Sequence, residues 1–218
     1  MRWAPEGRPW VAGAAAVLAV AAAWAFARPH PLAFGAAAVA AVALGAFLFF
    51  FRDPERPGAR GPAWCLAPAD GRVVDVSRVE EPRYLGSPAH RVAIFLSVLD
   101  VHVNRYPVSG VVEYRTYERG RFGFAWRGDA GERNERASVG IASPGGRVLV
   151  RQIAGTVARR IVTYARLGER VEQGERMGII RFGSRVEVFL PSAAVVTVRR
   201  GDRVRAGQTV LAEWRPLD

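Results

Sequence analysis

Residues 179–191 read I-I-R-F-G-S-R-V-E-V-F-L-P, a strand pattern that begins beside a serine. From Arg185 to Leu190 polar and apolar residues alternate, which predicts a β-strand with one buried face. Gly183 and Ser184 come directly before that strand. Because glycine lacks a Cβ, its backbone tolerates a strained turn and its carbonyl can be approached closely. The Ser184 hydroxyl could therefore attack the Gly183 carbonyl and convert the amide into an ester.

Base-promoted elimination from such an ester would break the chain between Gly183 and Ser184. The new N-terminal residue would become dehydroalanine and hydrolyse to a pyruvoyl group. Taken alone, a Gly-Ser pair favours an ordinary turn, because such pairs are common in turns. Self-cleavage therefore needs support from the rest of the sequence.

The amino-acid composition of the chain excludes several kinds of functional site. The chain of 218 residues has one cysteine, Cys65, so it can form no intramolecular disulfide and no cysteine metal cluster. Its three histidines, His30, His90 and His102, lack the spacing of a zinc site. We therefore predict no metal in the site, and we expect Cys65 to be a small buried residue.

Lysine is absent, since all 31 basic residues are arginine. Pyridoxal phosphate enzymes normally hold their cofactor through a lysine Schiff base, so the sequence predicts no pyridoxal phosphate. Lipoylated and biotinylated carriers are excluded for the same reason, because both attachments need a lysine amine. A carbonyl made from the backbone is compatible with these exclusions.

The formal net charge of +11 favours an anionic partner. No basic run is interleaved with stacking aromatic residues, which argues against nucleic acid and favours an anionic membrane surface. The alternative explanation of the positive charge is that the arginines are scattered over the surface and solvated.

The N-terminal region 1–51 contains two uncharged apolar segments, 10–27 and 32–51. Each approaches the length needed to cross a hydrocarbon core of about 30 Å at about 1.5 Å per residue. Two prolines between them predict a turn, and hence a helical membrane hairpin; a monotopic anchor is the alternative. Arginines are more frequent outside the hairpin than in its turn. The positive-inside rule therefore predicts a cell-membrane protein whose catalytic domain faces the cytoplasm.

Residues 52–63 are rich in Pro, Gly and Arg and are predicted to be a linker. From residue 64 to 218 short β-branched runs alternate with glycine turns, which predicts a mainly β domain. The pattern G-[ED]-R-V-x-x-G occurs twice, at 168–174 and 201–207. Paired turns of this kind are similar to those of lipoyl-like barrel sandwiches, the fold class that we predict.

Six short motifs occur in order along the chain. They are F-F-R-D-P (50–54), P-A-D-G (68–71), D-V-H-V-N-R (100–105), N-E-R (134–136), I-A-G (153–155) and F-G-S-R (182–185). Together they resemble the short bacterial and archaeal type of phosphatidylserine decarboxylase proenzyme, which is pyruvoyl-dependent.

The resemblance implies a function. The chain would cleave itself into residues 1–183 and 184–218, which stay associated as a heterodimer. The pyruvoyl group made from Ser184 would form a Schiff base with phosphatidylserine, and loss of CO2 would leave phosphatidylethanolamine.

The resemblance also implies roles for individual residues. His102 would transfer protons, and Asp70 would orient the base that starts cleavage. Longer members carry a second histidine where this chain has Arg105, so which base starts cleavage stays open. Asn134 and Arg136 would line the site, with Arg136 and Arg105 as candidate ligands of the substrate carboxylate or phosphate.

Two other functions are compatible with the sequence. A membrane-tethered lipoyl-like adaptor without enzymatic activity would keep an intact chain and have no carbonyl. A pyruvoyl decarboxylase of a soluble amino acid would cleave itself but would gain nothing from the apolar hairpin.

Overall fold

The computed structural model describes residues 2–58, 60–120, 134–155, 160–181 and 184–214. The chain divides into two compact units, Met1–Glu55 and Arg56–Asp218. Gly183, one half of the predicted cleavage site, lies outside the described residues, as does Phe182.

The first unit is a pair of helices, α1 (Arg8–Ala27) and α2 (Pro31–Phe50). Pro31 stands in the first turn of α2, where its missing N–H removes no helical bond, and His30 Nδ1 caps the helix by accepting from Leu32 N at 3.3 Å. A short strand pair, β1 (Arg2–Trp3) with β2 (Arg52–Asp53), joins the two ends of this unit, and Pro5–Gly7 forms a 3-10 turn.

Both helices carry large apolar side chains on their surface. Phe26 is 92% exposed and Val42 is 73% exposed, and the two helices are long and apolar enough to cross a membrane by length and composition. A soluble helix normally hides such side chains. The predicted apolar helices are confirmed, and their surfaces suit a lipid environment.

The second unit is built from antiparallel strands, as predicted for a mainly β domain. In the described residues its strands are β3 (Trp64–Leu66), β4 (Gly71–Glu81), β5 (Ser87–Leu96), β6 (Val103–Arg105), β7 (Gly110–Glu118), β8 (Arg136–Ser143), β9 (Gly146–Ala154), β10 (Ile161–Thr163), β11 (Arg170–Val171), β12 (Arg176–Ile180), β13 (Ser184–Pro191), β14 (Ala194–Val196), β15 (Arg203–Val204) and β16 (Val210–Trp214). Eight of them form the largest sheet, in the order β11-β7-β8-β9-β13-β5-β4-β15, which curls into a half-barrel. Two three-stranded sheets, β10-β12-β6 and β14-β16-β3, complete the unit.

The two G-[ED]-R-V-x-x-G repeats occupy equivalent positions in this sheet. The first contains β11 and pairs with β7, and the second contains β15 and pairs with β4, so the repeats form opposite edges. Their second glycines, Gly174 and Gly207, both have positive φ, at 86° and 67°. Only glycine adopts this conformation readily, which explains why the repeat is visible in the sequence.

The core lies on one face of the eight-stranded sheet. Val186, Val188 and Leu190 of β13 are fully buried in it, as the alternating pattern predicts. Cys65 is fully buried in the same cluster, and burial raises the pKa of its thiol. This agrees with the prediction of a small buried residue.

The second face of β13 is also buried, so the prediction of one buried face is wrong. Arg185 and Glu187 are only 3% and 1% exposed. The turn that follows β4 covers this face with Tyr84 and Leu85, which pack beside Phe189. Alternation along one strand could not reveal this cover, because it comes from a distant segment of the curled sheet.

Candidate active site

Ser184 is the first residue of β13, in the interior of the large sheet. It pairs with Leu96 at the end of β5 and with Ala154 at the end of β9. The side chain is fully buried, and its Oγ has no hydrogen-bond partner among the residues that the structure describes. A buried hydroxyl without a partner is costly, so this position is organised for something other than stability.

The N-E-R and I-A-G motifs meet beside Ser184. Ala154, the register partner of Ser184, receives a hydrogen bond from Asn134 Nδ2 on its carbonyl oxygen at 2.8 Å. The amide of Ala154 donates to the carbonyl of Glu135 at 2.9 Å. Both Asn134 and Glu135 are buried. Three motifs that are distant in sequence therefore converge at one end of neighbouring strands.

His102 lies just before β6 and is fully buried. Its Nδ1 is 2.9 Å from the backbone oxygen of Asp100. Since a carbonyl oxygen only accepts, Nδ1 carries the proton, and in the neutral ring Nε2 is the basic nitrogen. The carbonyl of His102 accepts from Ile180 N at 3.4 Å. His102 therefore lies beside the strand that leads to residues 183 and 184.

Asp100 fixes the loop that holds His102. Its carboxylate accepts from the amide and hydroxyl of Ser97, both at 2.8 Å, and from Arg203 at 2.8 Å. Burial alone would raise the pKa of Asp100, but the bonds from Ser97 and Arg203 outweigh it and lower the pKa. The carboxylate therefore stays ionised and keeps the loop in place.

Asp70 has other close partners. Its Oδ2 accepts from Arg56 Nη2 at 2.6 Å, and its Oδ1 accepts from the amide of Ala206 at 2.8 Å. These bonds tie the P-A-D-G turn to the linker and to the second glycine repeat. The suggestion that Asp70 orients the base of self-cleavage stays a prediction.

The two predicted arginine ligands are already engaged. Arg136, at the start of β8, forms an ion pair with Glu118, which also pairs with Arg83. The bond from Arg136 is the main cause of the lowered pKa of Glu118. Arg105 donates from Nη1 to the carbonyl of Gly174 at 2.9 Å. Either guanidinium would have to share or exchange its partner to bind a substrate anion.

Two sets of buried polar residues in this region could not be predicted from the sequence alone. Asn104 and Gln152 form a hydrogen-bonded amide pair, and both are fully buried. On the opposite face of the sheet, Glu187 lies between Arg185 at 2.8 Å and Arg151 at 3.6 Å. The alternation of Arg185 and Glu187 with valine is visible in the sequence, but it predicts solvated charges.

Within the described residues, no group of three or more His, Cys, Asp or Glu side chains could hold a metal ion.

Replacing Glu187 by leucine is expected to lower the free energy of unfolding by about 3 kcal/mol, because it leaves buried arginine charge without its carboxylate. Burial already lowers the pKa of Arg151, and the Glu187 carboxylate opposes that shift. Chemical denaturation would measure the effect. Glu113→Leu is the control, since its ion pair with Arg147 is solvent-exposed and should contribute less than about 1 kcal/mol. Equal losses in both variants would contradict the prediction.

Comparison with known proteins adds independent information. The family model described as phosphatidylserine decarboxylase matches residues 44–212. A phosphatidylserine decarboxylase proenzyme of Symbiobacterium thermophilum is 51% identical over 214 residues, which cover 95% of this chain and 94% of that protein. A protein with the same name from Granulibacter bethesdensis is 52% identical over 175 residues, covering 78% and 71%. Another from Mycobacterium bovis is 43% identical over 215 residues, covering 97% and 89%.

Proposed function

Because this chain belongs to the phosphatidylserine decarboxylase proenzyme family, we propose that it cleaves itself between Gly183 and Ser184 and converts phosphatidylserine into phosphatidylethanolamine and CO2. The observation that carries the proposal is the Ser184 hydroxyl, which is buried at a strand start with no partner among the described residues. A nucleophile that must attack its own backbone needs an Oγ that is not committed to another bond.

The position of the Ser184 hydroxyl at the start of β13 allows the chain to cleave itself as follows. The Ser184 Oγ adds to the Gly183 carbonyl carbon, the peptide nitrogen takes the proton, and an ester replaces the amide. Removal of the Ser184 α-proton then expels the Gly183 carboxylate from Cβ. Water hydrolyses the resulting dehydroalanine through its imine form, which releases ammonia and leaves a pyruvoyl group at position 184.

His102 is the base that we assign to these proton transfers. The ring is held through Nδ1, so in its neutral form Nε2 can accept a proton from Oγ and return it to the leaving nitrogen. Burial excludes bulk water from the ring. We assign Asp70 an indirect role in self-cleavage: it stabilises the surrounding loops through its bonds to Arg56 and to Ala206 of the repeat at 201–207.

The residues around position 184 fit a pyruvoyl group. Leu96 and Ala154, its strand partners, are fully buried and apolar, and an apolar wall favours conversion of a carboxylate into neutral CO2. The pyruvoyl group supplies a carbonyl that condenses with the substrate amine and accepts the electrons released with CO2. Asn134 keeps the Ala154 strand end in place, and Arg105 and Arg136 are the cations that we propose for the phosphate of the substrate.

We expect the two products of cleavage to stay together as a heterodimer of residues 1–183 and 184–218. In the smaller piece, β13 lies between β5 and β9, β15 pairs with β4, and β16 pairs with β3. Arg203 also binds Asp100 across the cut. Backbone pairing on several strands survives the loss of one peptide bond.

The apolar helices suit the proposed substrate. A diacyl lipid stays in the bilayer, so an enzyme anchored there meets its head group at the surface. The arginines outside the hairpin favour a domain on the cytoplasmic face and attraction to an anionic membrane surface.

Intact-mass analysis of the purified chain tests the proposal. We expect two species that split at 183/184, with the smaller one blocked to N-terminal sequencing and reactive with a hydrazine reagent. The protein should decarboxylate phosphatidylserine in detergent micelles but not free serine. An intact folded chain would favour the adaptor function, and turnover of free serine alone would favour a decarboxylase of a soluble amino acid.

A further inference from the structure

The amide pair Asn104–Gln152 joins β6, which directly follows His102, to β9, which pairs with the strand of Ser184. Asn104 lies in β6, two residues after His102, and Gln152 lies in β9, two residues before Ala154. Gln152 Nε2 donates to Asn104 Oδ1 at 2.7 Å. Since Ala154 is the register partner of Ser184, this bond connects the strand that follows His102 to the strand that pairs with Ser184.

The strand register places the amide pair two residues along β9 from Ala154, the partner of Ser184. Side chains two residues apart on a strand share a face, so Gln152 lies on the same face of β9 as Ala154. Its cross-strand partner on β13 is Val186, and Ser184, two residues earlier in that strand, lies on the same face. On the opposite sheet, Ile180 binds the carbonyl of His102 and also precedes Ser184 by only four residues. His102 and Ser184 therefore lie on the same side of the amide pair.

The pair is poorly suited to stability alone. Asn104 Nδ2 and Gln152 Oε1 are buried and have no hydrogen-bond partner in the part of the chain that the structure describes. Reversing both amides would not help, because one bond between two amides always leaves a donor on one and an acceptor on the other. Two apolar side chains of similar size would avoid this cost. Retaining a half-satisfied pair beside Ser184 is typical of a site in which function outweighs stability.

We propose that Asn104 and Gln152 are positioning residues that hold the segment of His102, just before β6, in register with Ser184 during self-cleavage. This inference rests on the proposed function. A base must come within about 2.6–3.2 Å of the proton that it removes, and a displacement of about 1 Å can slow a reaction about 100-fold. A directional bond between the two amides fixes the spacing of the strands, which apolar packing alone leaves adjustable.

The test is the rate of self-cleavage of the full chain, followed by intact mass after cell-free synthesis in detergent micelles. The variants are Asn104→Leu, Gln152→Leu, the double leucine variant, and the exchange Asn104→Gln with Gln152→Asn. The exchange retains two amides and their combined length. Thermal unfolding of each variant, measured with Ser184→Ala to prevent processing, reports stability separately.

Gln173→Leu provides a matched control. Gln173 is another buried glutamine, but its Nε2 donates to the carbonyls of Trp64 and Pro107, at 2.9 and 3.0 Å, and its Oε1 accepts from Gly61 N at 2.9 Å. Because its bonds are satisfied and lie elsewhere, its loss should destabilise the fold without slowing cleavage per folded molecule.

We expect the double leucine variant to be at least as stable as the native chain and to cleave about 10- to 100-fold more slowly, with the exchange variant recovering most of the rate. Native-like cleavage of the double leucine variant would overturn the inference alone. So would a loss of rate that only follows the loss of folded protein, as in Gln173→Leu. A native chain that never cleaves would overturn the proposed function as well.

Discussion

A Ser184→Ala variant is expected to remain a single chain of 218 residues and to show no decarboxylation of phosphatidylserine. The Oγ of Ser184 is both the attacking atom and, after the ester forms, the atom lost from Cβ. A methyl group can do neither, so the loss of cleavage should be complete. Intact mass, N-terminal sequencing and labelling with a hydrazine reagent would each report it.

The fold of this variant should be preserved. The Oγ has no partner among the described residues, so alanine removes no hydrogen bond there and relieves a buried polar atom. We expect the free energy of unfolding to be unchanged or raised by about 1 kcal/mol. An inactive Ser184→Ala chain that is also unfolded would not support the role of the hydroxyl, so thermal unfolding belongs to the same experiment.

Ser87→Ala is the matched control, because Ser87 also follows a glycine, in Leu85-Gly86-Ser87. That glycine has φ 70° in the turn before β5, and Ser87 itself is exposed. Its hydroxyl is open to solvent, unlike the buried hydroxyl of Ser184. The control should cleave at 183/184 as the native chain does. Cleavage in Ser184→Ala, or its absence in Ser87→Ala, would contradict the assignment.

Local sequence was sufficient for some features of the fold. The alternation after Ser184 predicted a strand, and β13 begins at that residue. The repeated glycine turns were visible because positive φ requires glycine in nearly any context. The apolar segments predicted helices, since length and composition alone decide that pattern. These features depend on residues that are neighbours along the chain.

Other features depend on pairings that no local pattern contains. Arg136 reads as a ligand for an anion, but Glu118 on the neighbouring strand already binds it. Asn104 and Gln152 are 48 residues apart and meet because two sheets face each other. Register and curvature come from the whole domain, so these contacts could be found only in the folded structure.

A His102→Gln variant is expected to slow self-cleavage by about 10²- to 10⁴-fold, the range that a positioned general base contributes. Glutamine fills similar space and places its amide near the position of Nε2, the nitrogen to which we assign the proton transfer. It cannot accept a proton at neutral pH. The variant therefore separates the loss of a base from the loss of packing, and the time course of intact mass would measure it.

His90→Gln serves as the control, because His90 lies partly buried in β5, paired with Leu190 and Arg78, and has no assigned role.

Long incubation of His102→Gln should eventually yield processed enzyme. Its turnover per mole of pyruvoyl-bearing small chain then reports whether His102 has a separate role in decarboxylation. If processing slows but turnover per processed molecule stays native, His102 serves cleavage alone. If both fall, the same ring also protonates the product. Native rates of processing in His102→Gln would exclude His102 as the base and favour a water held by Arg105, at the position where longer members of the family carry a second histidine.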